Sequence, residues 1–252
     1  MRKEDLAREV FGRRASYYTT SAAHTDSQVL RRVVELAVPA AGGLILDVAT
    51  GTGHTALALA PHAAQVVGVD LTPEMLGEAR QLQRQRGLGN VSWALADAHR
   101  LPFANDLFGA LTCRRAPHHF SDIRQTLAEM ARVLAPGGRL VVDDRSVPED
   151  EAADACMNAL DLWHDPSHVR NYRPSAWESL LDEAGLRVER LEPYIRHRPL
   201  SALTAGASPE GVAAIERAVA GMPESLRAAF SLVEIDGEPH LNHWYVLAAA
   251  RK

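Results

Sequence analysis

The stretch Leu44-Ile45-Leu46-Asp47-Val48-Ala49-Thr50-Gly51-Thr52-Gly53-His54-Thr55-Ala56 constrains this chain more than any other. An apolar run ends in a carboxylate, a glycine turn follows, and an Ala/Leu-rich segment runs from Thr55 to Ala60. That order reads as a buried strand feeding a tight loop that opens a helix. Such a junction turns backbone N–H groups and the positive end of a helix dipole toward a ligand. Glycine lets the ligand approach the backbone.

Two ligand classes fit the junction. Gly51-x-Gly53-x-x-Ala56 matches the dinucleotide fingerprint, which accepts Gly or Ala at its third position. Asp47 argues against that reading, because a carboxylate four residues before the first glycine would repel a pyrophosphate. The same carboxylate suits a ligand with a cationic amino group, such as the methionine part of S-adenosylmethionine.

The 252 residues suffice for one large core, or a core plus a small cap. A net charge of −5 disfavours a general nucleic-acid binder, which needs a basic face. Cys113 and Cys156 make no disulfide framework or metal spacing, and the histidines show no HExxH pattern, so no metal site is predicted. The mixed charge of residues 1–5 is unlike a signal peptide, and no apolar run approaches about 18 residues. A cytoplasmic protein without a membrane span, monomeric or homodimeric, is the expectation.

Residues 1–37 read as two helices split at Tyr17-Tyr18-Thr19-Thr20-Ser21, which either closes over a ligand as a lid or is a turn with two packed tyrosines. The second helix, Ser27 to Ala37, puts Val29, Val33, Leu36 and Ala37 on one side. Strands and helices then alternate. Strands are predicted at Leu44–Val48, Gln65–Asp70, Val91–Asp97, Leu107–Cys113 and Arg139–Asp144, with helices at about Glu74–Arg86 and Ile123–Leu134. Continuous apolar strands between helices mean a parallel sheet covered on both faces, an α/β fold. Further on, helices are predicted at Pro148–Trp163 and Pro174–Ala184, with a polar loop at 165–172 between them. A strand from Leu186 to Leu191, continuing as far as Arg196, a broken helical stretch at 199–232, and a strand His243–Ala249 complete the chain.

Three successive predicted strands end in Asp47, Asp70 and Asp97. Asp70 follows Asp47 by 23 residues, near the spacing of a ribose-binding carboxylate. One such aspartate is commonly a helix cap, but three around a glycine loop point to a ligand. Leu46 to Gly53, Val67 to Leu76, Ala96-Asp97-Ala98 with Leu101-Pro102-Phe103, and Arg132 to Leu140 together resemble the class I S-adenosylmethionine-dependent methyltransferases. The likeness is nearest to the ubiquinone/menaquinone-biosynthesis C-methyltransferase-like group. It covers about residues 40–145 well and the rest loosely. Ala49 stands where that family usually has its first glycine, which implies a slight shift of the methionine end.

The resemblance implies a Rossmann-like, seven-stranded, mostly parallel sheet whose last strand is antiparallel. It implies a single domain: an N-terminal helical lid (1–37), a cofactor-binding core (40–145) and a C-terminal half (146–252) whose insertions 147–173 and 199–232 cap the substrate. S-adenosylmethionine is the implied cofactor. Asp47, Ala49, Gly51 and Gly53 would hold its methionine end, with Tyr18 over the carboxylate and Arg114 near the sulfonium. Asp70 would bind the ribose, Leu71 and Met75 would pack near the adenosine, and Asp97 and Ala98 would meet the adenine edge.

The implied reaction is methyl transfer to a small molecule through a C-, O- or N-nucleophile, with a phenol, enol or quinone-like acceptor favoured. A base is needed only where the acceptor loses a proton. His119, then His118, are the candidates, since imidazole titrates in the right range. Arg145, His168, Arg170 and Tyr172 are candidates for recognising the substrate. Two other readings stand beside this one: an NAD(P)-dependent oxidoreductase, resting on the glycine spacing alone, and an S-adenosylmethionine-binding protein with a non-methylating activity.

Overall fold

The computed structural model describes residues 3–37 and 43–252. Met1, Arg2 and residues 38–42, with the expected start of the cofactor-binding core at 40, lie outside them. Helices α1 (Lys3–Thr20), α2 (Ala22–Thr25) and α3 (Ser27–Ala37) precede β1 (Leu44–Val48), which feeds α4 (His54–Leu59). Next come β2 (Gln65–Asp70), α5 (Pro73–Arg86), β3 (Val91–Leu95), β4 (Phe108–Arg114), α6 (Ile123–Val133) and β5 (Leu134–Ser146). The C-terminal half holds α7 (Glu151–His164), α8 (Pro174–Glu183), β6 (Arg187–Pro199), α9 (Ser201–Thr204), α10 (Pro209–Ala220), α11 (Glu224–Ala229), β7 (Val233–Ile235) and β8 (Glu238–Arg251).

The strands run in the order β3-β2-β1-β4-β5-β8-β6. The first five are parallel, and β8 lies antiparallel between β5 and β6. This is the expected seven-stranded path. An eighth strand, β7, pairs only with the start of β8 across an Asp236-Gly237 turn, where both residues have positive φ. Asp-Gly favours that two-residue hairpin turn.

The parallel strands are buried on both faces. On one side Leu127, Met130, Trp177 and Leu180 from α6 and α8 meet the sheet. On the other, α3 applies the predicted stripe of Val29, Val33, Leu36 and Ala37 alongside Leu57 and Leu59 of α4. A third cluster, with Met157, Leu160, Ile215, Val219 and Phe230, joins α7 to α10 and the segment after α11.

Several predicted boundaries shift, the last strand for one beginning at Glu238 rather than His243. The first helix does not break at the tyrosines: α1 runs through Tyr17 and Tyr18 to Thr20, and the break comes at Ser21 to Asp26. Strand β3 stops at Leu95, so Asp97 sits in the following turn, where it bridges to Arg100. β5 begins at Leu134 through Pro136-Gly137-Gly138, with regular pairing to β4 from Arg139.

Ala49 adopts φ +52°, the left-handed region that glycine enters without cost. The alanine therefore strains the turn after β1. Ala49→Gly is expected to raise stability by about 1 kcal/mol, read as a higher urea midpoint at unchanged m.

Candidate active site

Strand order reverses between β1 and β4, and a crevice opens beyond their carboxyl ends. A cavity of about 350 Å³ occupies it. Asp47, near the end of β1, is 1% exposed and lines the cavity. One of its oxygens accepts the Thr50 hydroxyl at 2.5 Å and the other the Thr112 hydroxyl of β4 at 2.6 Å. Burial pushes its carboxyl up to about 6 even so, because these hydroxyls and the nearby Arg114 only partly replace water. Asp70 accepts the Gly51 N–H at 2.8 Å and the Thr72 N–H at 2.9 Å, which fixes the glycine turn against the end of β2.

The two glycines of that turn differ. Gly51, at φ +55°, has nothing within 4 Å of where a Cβ would stand and opens onto the cavity. Gly53 is not among the lining residues. It begins α4 at φ +85°, and a Cβ there would sit 2.6 Å from Trp93 Cη2. Glycine is needed there for the close packing of α4 on Trp93 of β3 and Ala79 of α5.

Leu71, Met75, Asp97 and Ala98, the residues expected near the adenosine, also line the cavity. Asp97 accepts both the His99 N–H and the His99 ring Nδ1–H through one oxygen, at 2.9 and 2.7 Å. Helix α1 covers the cavity with Glu4, Ala7, Phe11, Arg14 and Tyr18, at helical spacing on one face. The cover is therefore the whole helix, not the tyrosine turn alone. Burial raises the Tyr18 hydroxyl to about 12, so it stays protonated.

The opposite end carries the chemistry-bearing side chains. Pro117–His119 forms a single 3₁₀ turn after β4. The buried Asp144 accepts the His118 N–H at 2.8 Å and pairs with His118 Nδ1 at 2.6 Å. His119 Nδ1 lies 3.1 Å from Ser167 Oγ, which donates to Asp165 at 2.7 Å. The His118 and His119 rings are 4.0 Å apart, and His168 stands 5.9 Å from the first. Burial, reinforced by the neighbouring imidazoles, holds His118 well below its usual pKa. Burial also lifts Asp144 to about 7, against the pull of backbone N–H groups and Arg115.

Of the predicted substrate residues, Arg145 and His168 line the cavity. Arg145 is committed to Asp161 at 2.7 Å. Arg170 and Tyr172 are not among the lining residues and are corrected. Arg170 turns to the buried Asp154 at 2.7 Å, and Tyr172 packs edge-on against Trp177 beside the core.

Comparison with known proteins decides the family. Residues 45–138 match the profile described as Methyltransferase domain. The chain is 35% identical over 184 residues to the uncharacterized methyltransferase YcgJ of Bacillus subtilis (strain 168), covering 73% of each. It superposes on the crystal structure of YcgJ with a TM-score of 0.84, covering 89% of this chain and 98% of that one. It is also 49% identical over 119 residues to the demethylmenaquinone methyltransferase of Thermus thermophilus. That match covers 46% of this chain and spans only 54% of the relative's length. The chain belongs to the class I S-adenosylmethionine-dependent methyltransferases.

The methyltransferase cofactor is S-adenosylmethionine, and the residues present fit it. Arg114 spends two of its nitrogens on Thr55 Oγ1 and the His24 carbonyl, at 2.9 and 2.7 Å. Its Nη1 is buried without a partner, as is Nε2 of His54, and both residues line the cavity beside the glycine turn. Two unclaimed buried nitrogens there suit a carboxylate such as that of the methionine part. The dinucleotide reading has no comparable support. His54 escaped the sequence reading because histidine was weighed there only as a metal ligand. Its place at the first turn of the helix after the glycine loop was the available signal.

Since two hydroxyls give Asp47 its side-chain hydrogen bonds, removing one exposes the cost of burial. Thr112→Val is expected to destabilise this methyltransferase by about 1–3 kcal/mol in urea unfolding at pH 8, and by less below pH 6, where Asp47 protonates.

Proposed function

We propose that this enzyme methylates a small molecule bearing an acidic hydroxyl, of the phenol, enol or quinone-like class, with His118 as the proton acceptor. The observation that carries the reading is one cavity lined both by the glycine turn with three aspartates and by the carboxylate-backed imidazole. The Thermus relative's name, a demethylmenaquinone methyltransferase, adds support for a quinone-like acceptor.

The cofactor supplies a methyl group on a sulfonium whose charge disappears on transfer. In this proposal Asp47 faces the ammonium group, and Arg114 with His54 takes the carboxylate under Tyr18. Asp70 receives the ribose hydroxyls through lone pairs that Gly51 and Thr72 leave free, and Asp97 meets the adenine edge. Helix α1 and the insertions 147–173 and 199–232 exclude water and orient the acceptor. Alignment of this kind is worth roughly 7–11 kcal/mol of barrier.

His118 serves better than His119. With Nδ1–H directed at Asp144, its Nε2 keeps a lone pair, and its depressed pKa leaves the ring neutral at pH 7. His119 reaches a carboxylate only through the Ser167 hydroxyl. It packs edge-on against Phe11 of the cover, 4.8 Å between centroids, and shapes the site.

Calorimetry with S-adenosylhomocysteine is expected to show one site, weakened at least tenfold in Arg114→Gln; binding of NAD with none of S-adenosylhomocysteine overturns the proposal. The pH profile of kcat/KM gives a second check. Protonating Asp144 removes the acceptor that holds Nδ1–H, so Nε2 ceases to be a base. Activity is therefore expected to be present above about pH 7 and to fall tenfold per unit below it. Asp144→Asn is expected to cost on the order of 10²–10⁴ in kcat while S-adenosylhomocysteine affinity is kept.

A further inference from the structure

Six arginines line the cavity, and they are not equivalent. Arg115 and Arg145 are locked to carboxylates, Asp143 at 3.0 Å and Asp161 at 2.7 Å. Arg114 belongs to the glycine-turn end, and Arg8 is an exposed residue of the cover. Arg14 and Arg198 remain. Among the described residues neither makes an ion pair.

Both guanidinium groups bear on the segment around α9. Arg198 lies near the end of β6, just before α9. Arg14, from the covering helix, donates to the Gly206 carbonyl just after α9. Ala202 and Ala205 of the same segment line the cavity with them, and their side chains supply no counter-charge. The carboxylate that acts on Tyr18 here, Asp165, is already held by the Ser167 N–H and hydroxyl at 2.8 and 2.7 Å. Two cations with donors to spare, over a floor of methyl groups, form a site for a planar or tetrahedral oxyanion.

We infer that the methyl acceptor carries an anionic group, a carboxylate or phosphate, bound between Arg198 and Arg14 over Ala202 and Ala205. The inference rests on the proposed acceptor class and narrows it: the phenol, enol or quinone-like molecule also carries an acid group. Fixing the anion at the cap end would aim the rest of the molecule along the wall toward His118, and Tyr245 would add a hydroxyl to the same subsite.

The test is binding to the full-length protein loaded with S-adenosylhomocysteine, using benzoate, phenyl phosphate and the neutral benzyl alcohol as probes. At least one anion is expected to bind ten or more times tighter than benzyl alcohol, and the better of the two tells carboxylate from phosphate. Arg198→Gln should abolish that preference, and Arg198→Lys should retain most of it. Both should bind S-adenosylhomocysteine like the wild type, which also reports that they are folded. Equal affinities for the three probes in the wild type, or a preference that survives Arg198→Gln, overturns the inference and leaves the methyltransferase reading standing. Failure of the wild type to bind S-adenosylhomocysteine overturns both.

Discussion

The site depends on a carboxylate kept where water does not reach. Asp47 is held between a hydroxyl of its own loop, Thr50, and a hydroxyl of the neighbouring strand, Thr112. This ties the turn after β1 to β4, the two strands between which the sheet reverses. Asp70 repeats the device one strand over, taking backbone N–H groups from Gly51 and Thr72. Each carboxylate satisfies a donor that a tight turn would otherwise leave unpaired, and each still faces the cavity. In the proposed site, structure and ligand binding are thus carried by the same side chains. A helix-cap reading and a ligand reading of these aspartates do not exclude one another.

The acceptor end is built on the opposite balance. Burial suppresses charge on His118, whereas the arginines nearby stay ionised because each fully committed one has a carboxylate at hydrogen-bond distance. Arg115 also lies 4.0 Å over the Tyr245 ring, and Tyr245 stacks on Tyr194, whose hydroxyl donates to Asp143. This network joins the end of β4 to β5, β6 and β8. An imidazole that must stay neutral and guanidinium groups that must stay charged can share a cavity only if their counter-charges are assigned this specifically.

Much of the cofactor half was legible because its signals are local. The bounds of β1 and β2 follow from apolar runs ending at Asp or one residue past it. Pro73 and Gly87 bracket α5, the first in its opening turn and the second in a left-handed cap. The places where the reading failed depend on partners distant in sequence. Arg170 looks like a ligand in a polar loop until Asp154, from the preceding helix, claims it together with Arg173. The packing of Trp93 against Gly53 is likewise invisible in the sequence. Tyr17 and Tyr18 looked like a helix break, yet their weak helix propensity is overridden by contacts of Tyr18 with Phe11 and His24. The β7–β8 hairpin is a different case. Asp236-Gly237 was a local signal, hidden because the residues before it read as helix.

The division of labour between sheet and cap follows from how each is held. The groups proposed to act on the cofactor and the proton sit at strand ends or in turns pinned by backbone hydrogen bonds, including Val169 N–H to the His118 carbonyl at 2.9 Å. The cap has its own core around Met157, Ile215 and Phe230, and it meets the cavity through α7, α9 and the loop after α7. A change of cap residues such as Ala202 or Ala205 would alter the shape and charge of the wall without touching the strand tips. In the proposed reading, most cofactor groups lie in the part of this chain that the domain profile covers, residues 45–138, and the wall that would select the acceptor is built largely by the part beyond it.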